Sequence, residues 1–485
     1  MAANPKLTVW SIAGSDNSGG AGIQADSQCF RSFGLAFTNI VTAITAQNTQ
    51  GVQHIAWITS ESFSHQWQSL AKEHVPAAIK IGLIGQAYHF DLLNKLLPSL
   101  DAPVVLDPVI KASNGDTLAA AICFKQMLHL VTVFTPNLHE FEAIFADEIQ
   151  TKGLDNAAKW ISQTFDLCLV ITGGDAVDEA TDRIYYQDQQ LKVRSPKQAS
   201  QHTHGTGCSF SSAIASLLAL GYRPMDAVVL AKAYLNQGLA LPDQSDTYPA
   251  AFQHTGFPNQ AACLPAITCN GLPKQLPCAF PQLDKSLGLY VLVENLDELN
   301  CCLDSAVDTL QLRIKNGSQE EQRALITQAI ALAKARNKPL YINDHWQLAI
   351  ELDAYGVHLG QEDLTTADLS ALQKAGLKLG ISTHNVLEIA IAHQYQPSYI
   401  AFGPVYSTQS KQVNHPPLNS DHLRQYIHLL KDDYRLTAIG GINTQNAKDV
   451  LALGIDSLAV ISAVTKSADP TSAISQFSVM MNSLE

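Results

Sequence analysis

Three clusters in the first half of this 485-residue chain combine residue types that can handle phosphate. His204-Gly205-Thr206-Gly207-Cys208 precedes the helical run SFSSAIASLLALG. A glycine-rich turn that opens a helix points unpaired backbone N–H groups forward, and the helix dipole adds to their field. Gly205, Thr206 and Gly207 are therefore a candidate anion hole for the charge that develops on a moving phosphoryl group. Cys208 stands at the same helix start, where a thiol pKa tends to fall, so a thiolate there is a candidate proton acceptor. The alternative for a lone cysteine is a small buried core residue. The second cluster, Thr135-Pro136-Asn137-Leu138-His139-Glu140, closes the run VTVFTPN. A carboxylate at a strand's C-terminal end lies where α/β sheets bind ligands. Glu140 is a candidate Mg²⁺ ligand, direct or through water, and equally a helix-start acid facing the dipole. The third cluster is Gly14-Ser15-Asp16-Asn17-Ser18-Gly19-Gly20-Ala21-Gly22, whose glycines permit close backbone approach to a ligand.

In the second half, polar residues recur at the ends of short apolar runs. Gln311, Arg313 and Lys315 alternate at the end of TLQLRIK and so share one face of a strand. Two cations on one face suggest an anion pocket. Asn343 and Asp344 end PLYIND, and Gln361, Glu362 and Asp363 follow GVHLG. Carboxylates from adjacent strand ends can share one hard cation, which makes Asp344 and Asp363 a candidate Mg²⁺ pair. Ser382 and His384 end LKLGIST, and Thr408, Ser410 and Lys411 follow YIAFGPVY. Gly440-Gly441 and Ile461-Ser462 close the last two runs, where backbone N–H groups can grip a phosphate.

Elements that hold such groups in step are legible around them. Upstream, LTVWSIAG, FTNIVTAIT, AIKIGLIG, PVVLDPVI, VTVFTPN and LCLVITG alternate with helical patterns, which predicts a parallel or mostly parallel sheet covered on both faces. Downstream, eight runs (LYVLV, TLQLRI, PLYIND, GVHLG, LKLGIST, YIAFGPV, LTAIGGI and SLAVISAV) are separated by amphipathic segments such as EEQRALITQAIALAKAR. Eight βα units in about 200 residues predict a compact (β/α)₈ barrel over an open doubly wound sheet, with its site at the strand C-terminal ends. A stretch rich in Pro, Asn, Gln and Gly separates the halves and carries no sustained period. The expected organisation is a first domain over 1–258, a linker over 259–286 and a barrel over 287–485.

Composition sets the outer limits. Hydrophobic residues make up 46% and charged residues 15%, against a usual charged share of about 25%, which fits compact domains and excludes disorder. A formal net charge of -13 argues against nucleic acid or anionic lipid as partners, so anionic small molecules would need local cationic pockets. Nine cysteines, with no C-x-x-C pair, read as free thiols in a reducing compartment. MAANPKLTVW lacks the pattern of a signal peptide, and no apolar run approaches the ~18 residues of a membrane span. A cytoplasmic location is expected, while a homo-oligomer stays open.

The motifs AGSDNSGGAGIQAD, TAITAQNTQGV, TPNLHEFEA and THGTGCSFSSAIA resemble the ribokinase-like family. Within it they resemble the hydroxymethylpyrimidine/phosphomethylpyrimidine kinases of thiamin synthesis, over roughly residues 6–240. The resemblance implies a three-layer α/β/α fold with ATP as co-substrate and Mg²⁺ as cofactor. It implies Asp26 and Gln47 facing the aminopyrimidine, Gly205–Gly207 as the anion hole and Cys208 nearest the reacting hydroxyl. The chain departs from the family's usual pattern at DPVIKASNGD (107–116), at Leu83 and at Thr172 in ITGG. A vitamin kinase such as a pyridoxal kinase, or a ligand-binding module, is the competing reading of this half. The second half resembles thiamin phosphate synthase through QLRIK, INDHWQLA, YGVHLGQEDL, ISTHN, YIAFGPVYSTQSKQ, AIGGI and AVISAV. This resemblance implies Asp344 and Asp363 on Mg²⁺. It gives Arg313, Lys315, Asn343, Ser382 and Lys411, with Gln311 beside them, to the pyrimidine diphosphate. Thr408, Ser410, Gly441, Ile461 and Ser462 would meet the thiazole phosphate. The implied substrates are hydroxymethylpyrimidine and its phosphates, ATP and thiazole phosphate.

Overall fold

A computed structural model describes residues 6–48, 51–110, 121–174, 179–198, 200, 203–242, 251–273, 276, 278–407 and 416–482. The chain forms two compact units, Met1–Pro258 with Ala262–Asn270 and Gly271–Glu485 with Asn259–Ala261.

The first unit is built on a ten-stranded sheet. Its strands are β1 (Thr8–Asp16), β2 (Ala36–Asn48), β3 (Gly51–Trp57), β4 (Ala78–Ile81), β5 (Val104–Leu106), β6 (Val133–Phe134), β7 (Cys168–Ile171), β8 (Glu179–Tyr186), β9 (Gln189–Pro196) and β10 (Ala266–Cys269). They lie in the order β10-β9-β8-β7-β6-β5-β4-β1-β2-β3. The centre, from β2 through β7, is parallel. All six apolar runs read from the sequence lie there, because strands covered on both faces are apolar throughout. The remaining pairings are antiparallel. Those edge strands were not read, because one face of β8 and β9 is polar and the alternation resembles loop. Helices cover the sheet, and Trp10 of β1 meets Trp67 edge-on at 5.4 Å within the core.

The stretch read as linker contains β10. Ile267 pairs with Val193 in β9 and is buried. Four residues are too few for a period to show, so the edge strand passed as coil.

The second unit is the expected closed barrel of eight parallel strands: β11 (Leu289–Val293), β12 (Thr309–Leu312), β13 (Leu340–Asn343), β14 (Gly356–Leu359), β15 (Lys378–Thr383), β16 (Tyr399–Phe402), β17 (Arg435–Ile439) and β18 (Leu458–Val460). Each falls in one of the eight predicted runs. Tyr290, Tyr341 and Tyr399 fill part of its interior. Gly380 makes room for the Tyr399 ring, and at Gly356 a Cβ would come within 2.6 Å of the Tyr341 ring.

Candidate active sites

The first unit holds a cleft of about 780 Å³ at the C-terminal ends of the central strands. Two glycine motifs interlock to form one wall. Asp16 ends β1 and accepts hydrogen bonds from the Ser18 amide (2.8 Å), the Ser18 hydroxyl (2.7 Å) and the Ala21 amide (2.8 Å). Burial alone would raise its pKa, but hydrogen bonds from His204, Gln47 and Ser18 hold the carboxyl well below the usual range. The loop is thereby closed on itself. Gly205 then packs on it at φ +81°, where a Cβ would run into the Gly20 carbonyl oxygen. A left-handed conformation and this close approach both require glycine.

Gly205 is the residue before the helix Thr206–Ala219. Gly205, Thr206, Gly207 and Cys208 all line the cleft, so the expected anion hole faces open space. Gln47 lines it as well. Glu140 does too, and its Oε2 also accepts from the Asn137 amide at 2.9 Å while its own amide donates to Asn137 Oδ1. That reciprocal cap of the helix Leu138–Ile144 is the helix-start role weighed above.

Two expectations change. Asp26 does not line the cleft. It is fully buried, accepting from Lys80 Nζ at 3.0 Å, Ser212 Oγ at 2.6 Å and Ser11 Oγ at 2.5 Å. A carboxylate beneath two strands and a helix takes a buried ammonium as its partner, since nothing else offsets its charge. The Cys208 thiol is not depressed. Burial pushes it up to about 11, with the Lys80 ammonium lowering it and Asp107 and Asp26 raising it. Desolvation is the largest influence on this thiol, ahead of Lys80 and of the backbone hydrogen bond with Gly22, both of which lower it.

Lys80, Asp107 and the Lys232–Asp182 pair, none of them a candidate from the sequence, also stand on the cleft wall. Burial would lower the Lys80 pKa, but Asp26, Cys208 and Asp107 together raise it. Asp107 accepts from Ser211 Oγ at 3.0 Å, and burial raises its pKa. Lys232 meets Asp182 at 2.7 Å, and the other Asp182 oxygen accepts from the Gly173 amide. Two of them had a signal: Lys80 interrupts an apolar strand, and Asp107 obeys the same strand-end rule as Glu140.

In the barrel, the strand-end residues emerge at one end, as the parallel register requires. Asn343 of β13 is paired with His358 of β14, so Asp344 and Asp363 follow adjacent strands on the same side. Asp344 is exposed and sits at φ +61°, in the left-handed region that aspartate enters more readily than most residues. Asp363 Oδ2 accepts from the Gly360 amide at 2.9 Å. The His345 imidazole lies close enough to feel Asp363, although burial lowers its pKa overall. Two carboxylates on neighbouring strand ends suit a hard cation.

Arg313 follows β12, and its Nη1 is buried without a hydrogen-bond partner among the described residues. Leaving such a donor unpaired costs about 1–3 kcal/mol, which an anionic ligand would recover. Lys315 is half-exposed and paired with Glu294. Gln311 is buried and turned into the core, donating to Tyr290 Oη at 2.7 Å. Ser382 Oγ is 2.8 Å from His358 Nε2. Gly440 and Gly441 follow β17 at φ +104° and +66°. Ile461 and Ser462 follow β18 at the start of the short helix Ser462–Thr465. Thr408, Ser410 and Lys411 lie outside the described residues, as does most of the altered 107–116 segment.

Comparison with known proteins agrees with this division. The model of the phosphomethylpyrimidine kinase family matches residues 16–248, and that of the thiamine monophosphate synthase family matches 291–464. A thiamine-phosphate synthase of Salmonella typhimurium is 50% identical over 190 residues, 39% of this chain and 90% of the relative. One of Escherichia coli is 48% identical over 190 residues, again 39% of this chain and 90% of the relative. The solved phosphomethylpyrimidine kinase of Clostridium difficile 630 is 29% identical, covering 48% of this chain and 99% of that one, with a TM-score of 0.40. The chain therefore belongs to the thiamine-phosphate synthase family through its barrel, and with the phosphomethylpyrimidine kinase domain ahead of it forms a bifunctional enzyme of thiamin biosynthesis.

Proposed function

We propose that the first domain uses ATP to phosphorylate hydroxymethylpyrimidine and then its monophosphate, and that the barrel joins the resulting diphosphate to thiazole phosphate. The observation that carries this reading is the pairing of two different phosphate mouths in one chain. One is made of helix-start amides at Gly205–Cys208. The other is made of strand-end side chains that include a buried guanidinium N–H with no partner among the described residues.

In the kinase cleft, Gln47 would hold the pyrimidine edge and orient the hydroxymethyl group. The amides at 206–208 would take the charge on the transferred phosphoryl group. With Cys208 kept as a thiol, its S–H can donate a hydrogen bond. Asp107, on the same wall, is the group able to accept the hydroxyl's proton. Asp26 acts from below by fixing Lys80. Glu140 is the carboxylate that would hold Mg²⁺ there, which supplies charge neutralisation for ATP when bound.

In the barrel, Asp344 and Asp363 would hold Mg²⁺, which when bound stabilises pyrophosphate as a leaving group. Arg313 and Lys315, with Lys411, would receive the diphosphate oxygens, while Asn343 and Ser382 orient the pyrimidine diphosphate. Thr408, Ser410, Gly441, Ile461 and Ser462 would seat the thiazole phosphate. The C–O bond to pyrophosphate breaks with its electron pair, and the thiazole nitrogen forms the new C–N bond. That nitrogen carries no proton to lose, so no general base is required.

The direct test incubates the purified protein with hydroxymethylpyrimidine, ATP, Mg²⁺ and thiazole phosphate. Thiamin phosphate is expected by mass. Its absence, with intact coupling of supplied pyrimidine diphosphate, would remove the kinase assignment. Pyridoxal added as a competitor should leave the yield unchanged.

A further inference from the structure

Four hydrogen bonds join five side chains in a single line through the barrel interior. Gln311 Nε2 donates to Tyr290 Oη at 2.7 Å. Tyr290 Oη lies 2.8 Å from Tyr399 Oη, which lies 2.7 Å from His358 Nδ1. His358 Nε2 lies 2.8 Å from Ser382 Oγ. All but Ser382 are buried, with Tyr399 fully so and Gln311 2% exposed. Burial also keeps both phenols protonated.

A line of this kind has a direction. The Gln311 amide can only donate through its nitrogen. Tyr290 accepts there, and the arrangement in which each phenol accepts one bond and donates one sends its single proton to Tyr399. Tyr399 in turn gives its proton to His358 Nδ1. A neutral imidazole that accepts at Nδ1 carries its proton on Nε2, and that proton goes to Ser382 Oγ. The serine hydroxyl then accepts from the histidine and keeps its own proton for something else. Run in reverse, the line would spend the Ser382 proton on His358 and turn lone pairs toward an incoming anion. Gln361 Nε2 donates to the Ser382 carbonyl oxygen at 2.7 Å, which steadies the strand end.

We propose that His358 is a positioning residue for the coupling reaction, held in its Nε2–H tautomer by this one-way chain so that Ser382 is left to donate to an acceptor atom of the pyrimidine diphosphate. The proposal rests on the coupling activity assigned above and adds how the barrel core orients one of its groups. Gln311, turned into the core, is then the residue that sets the polarity of the line.

Histidine-selective ¹⁵N labelling of the full chain reads the tautomer directly, with the His358 signals identified by their loss in His358→Asn. Wild type should show the Nε2–H pattern without any ligand. An Nδ1–H pattern or an even mixture would overturn the proposal. Gln311→Glu replaces the terminal donor with an acceptor, so the His358 pattern should switch to Nδ1–H; an unchanged pattern would count against the chain. Should that variant fail to fold, Tyr290→Phe removes the link without adding charge and should give a mixture, while retention of a pure Nε2–H pattern would overturn the relay. Kinetics add a second reading. Ser382→Ala should lower kcat/KM for coupling about ten- to a hundredfold in wild type. In the Gln311→Glu background it should cost about twofold or less, because the serine there no longer donates. Equal costs in both backgrounds would sink the proposal. Absence of coupling in the wild-type protein would instead remove the assigned reaction and leave the tautomer result standing.

Discussion

Around the kinase cleft the lysines are buried and already paired, whereas the barrel mouth keeps its cations within reach of solvent. Lys80 and Asp26 are both fully buried at 3.0 Å, and Lys232 and Asp182 are nearly so at 2.7 Å. Lys315 in the barrel is 40% exposed beside a Glu294 that is 38% exposed, and Arg313 has a buried N–H with no partner among the described residues. On the proposed reading the two domains would meet phosphate by different means. The kinase domain presents backbone amides and uses its ion pairs to fix the scaffold. The barrel presents the charged side chains themselves. A transferred phosphoryl group needs an unmoving field, which amides at a helix start supply. A diphosphate that must enter and then leave as pyrophosphate suits side chains that can exchange partners.

The largest effect expected from this contrast is on stability. Asp26→Ala would leave the Lys80 ammonium uncompensated in the interior, and should cost the kinase domain about 3–5 kcal/mol. Urea unfolding followed by tryptophan fluorescence reads it well, because Trp10, Trp57, Trp67 and Trp160 all lie in the first unit. A loss under about 1 kcal/mol, the range of exposed pairs, would erase the distinction between the two mouths. Next comes Gly205→Ala, which meets both the Gly20 carbonyl oxygen and an unfavourable φ. Phosphorylation should fall about 10²- to 10³-fold, with coupling of supplied pyrimidine diphosphate unchanged.

The buried interior also gives the kinase domain an acid sensitivity of its own. His89 is fully buried, with Nδ1 accepting from the amides of Gly85 and Gln86, and burial pushes its pKa down to about 4. Between about 6.5 and 4 the unfolded chain binds a proton that the folded chain refuses. Its contribution is therefore complete above about pH 6.5 and is lost as pH falls toward 4, roughly 3 kcal/mol in all. His89→Gln should flatten that part of the stability–pH curve, and an unaltered slope would show that other groups set it. The smallest effect belongs to the exposed pair. Glu294→Gln should release Lys315 and lower KM for the pyrimidine diphosphate by up to about fivefold, less at high salt. A raised KM would mean that Glu294 positions the lysine for substrate instead of competing for it.

Much of both sites was legible because it is written locally. A glycine turn ahead of a helix, or a polar residue closing an apolar strand, lies within one short segment. Gly205–Cys208, which line the cleft, and Asn343, Asp344, Asp363 and Ser382, which stand at strand ends, were read that way. Asp26 was misplaced for the opposite reason. Its partners Ser11, Lys80 and Ser212 lie 15, 54 and 186 residues away, and no local pattern marks the pairing. The Cys208 thiol illustrates the same limit. The dipole that would depress its pKa is local and readable, while the burial that raises it comes from elements distant in sequence.

From the amino-acid order alone came the two-unit division, the parallel core, the eightfold barrel and the strand ends at which polar residues gather. These depend on periodicity, turn chemistry and chain direction, which are short-range properties. Tertiary structure alone decided which carboxylate lines the cleft and which is buried against a lysine, and that Gln311, Tyr290, Tyr399, His358 and Ser382 meet in one line. Those outcomes depend on desolvation and on the convergence of side chains from separate strands, neither of which has a local signature.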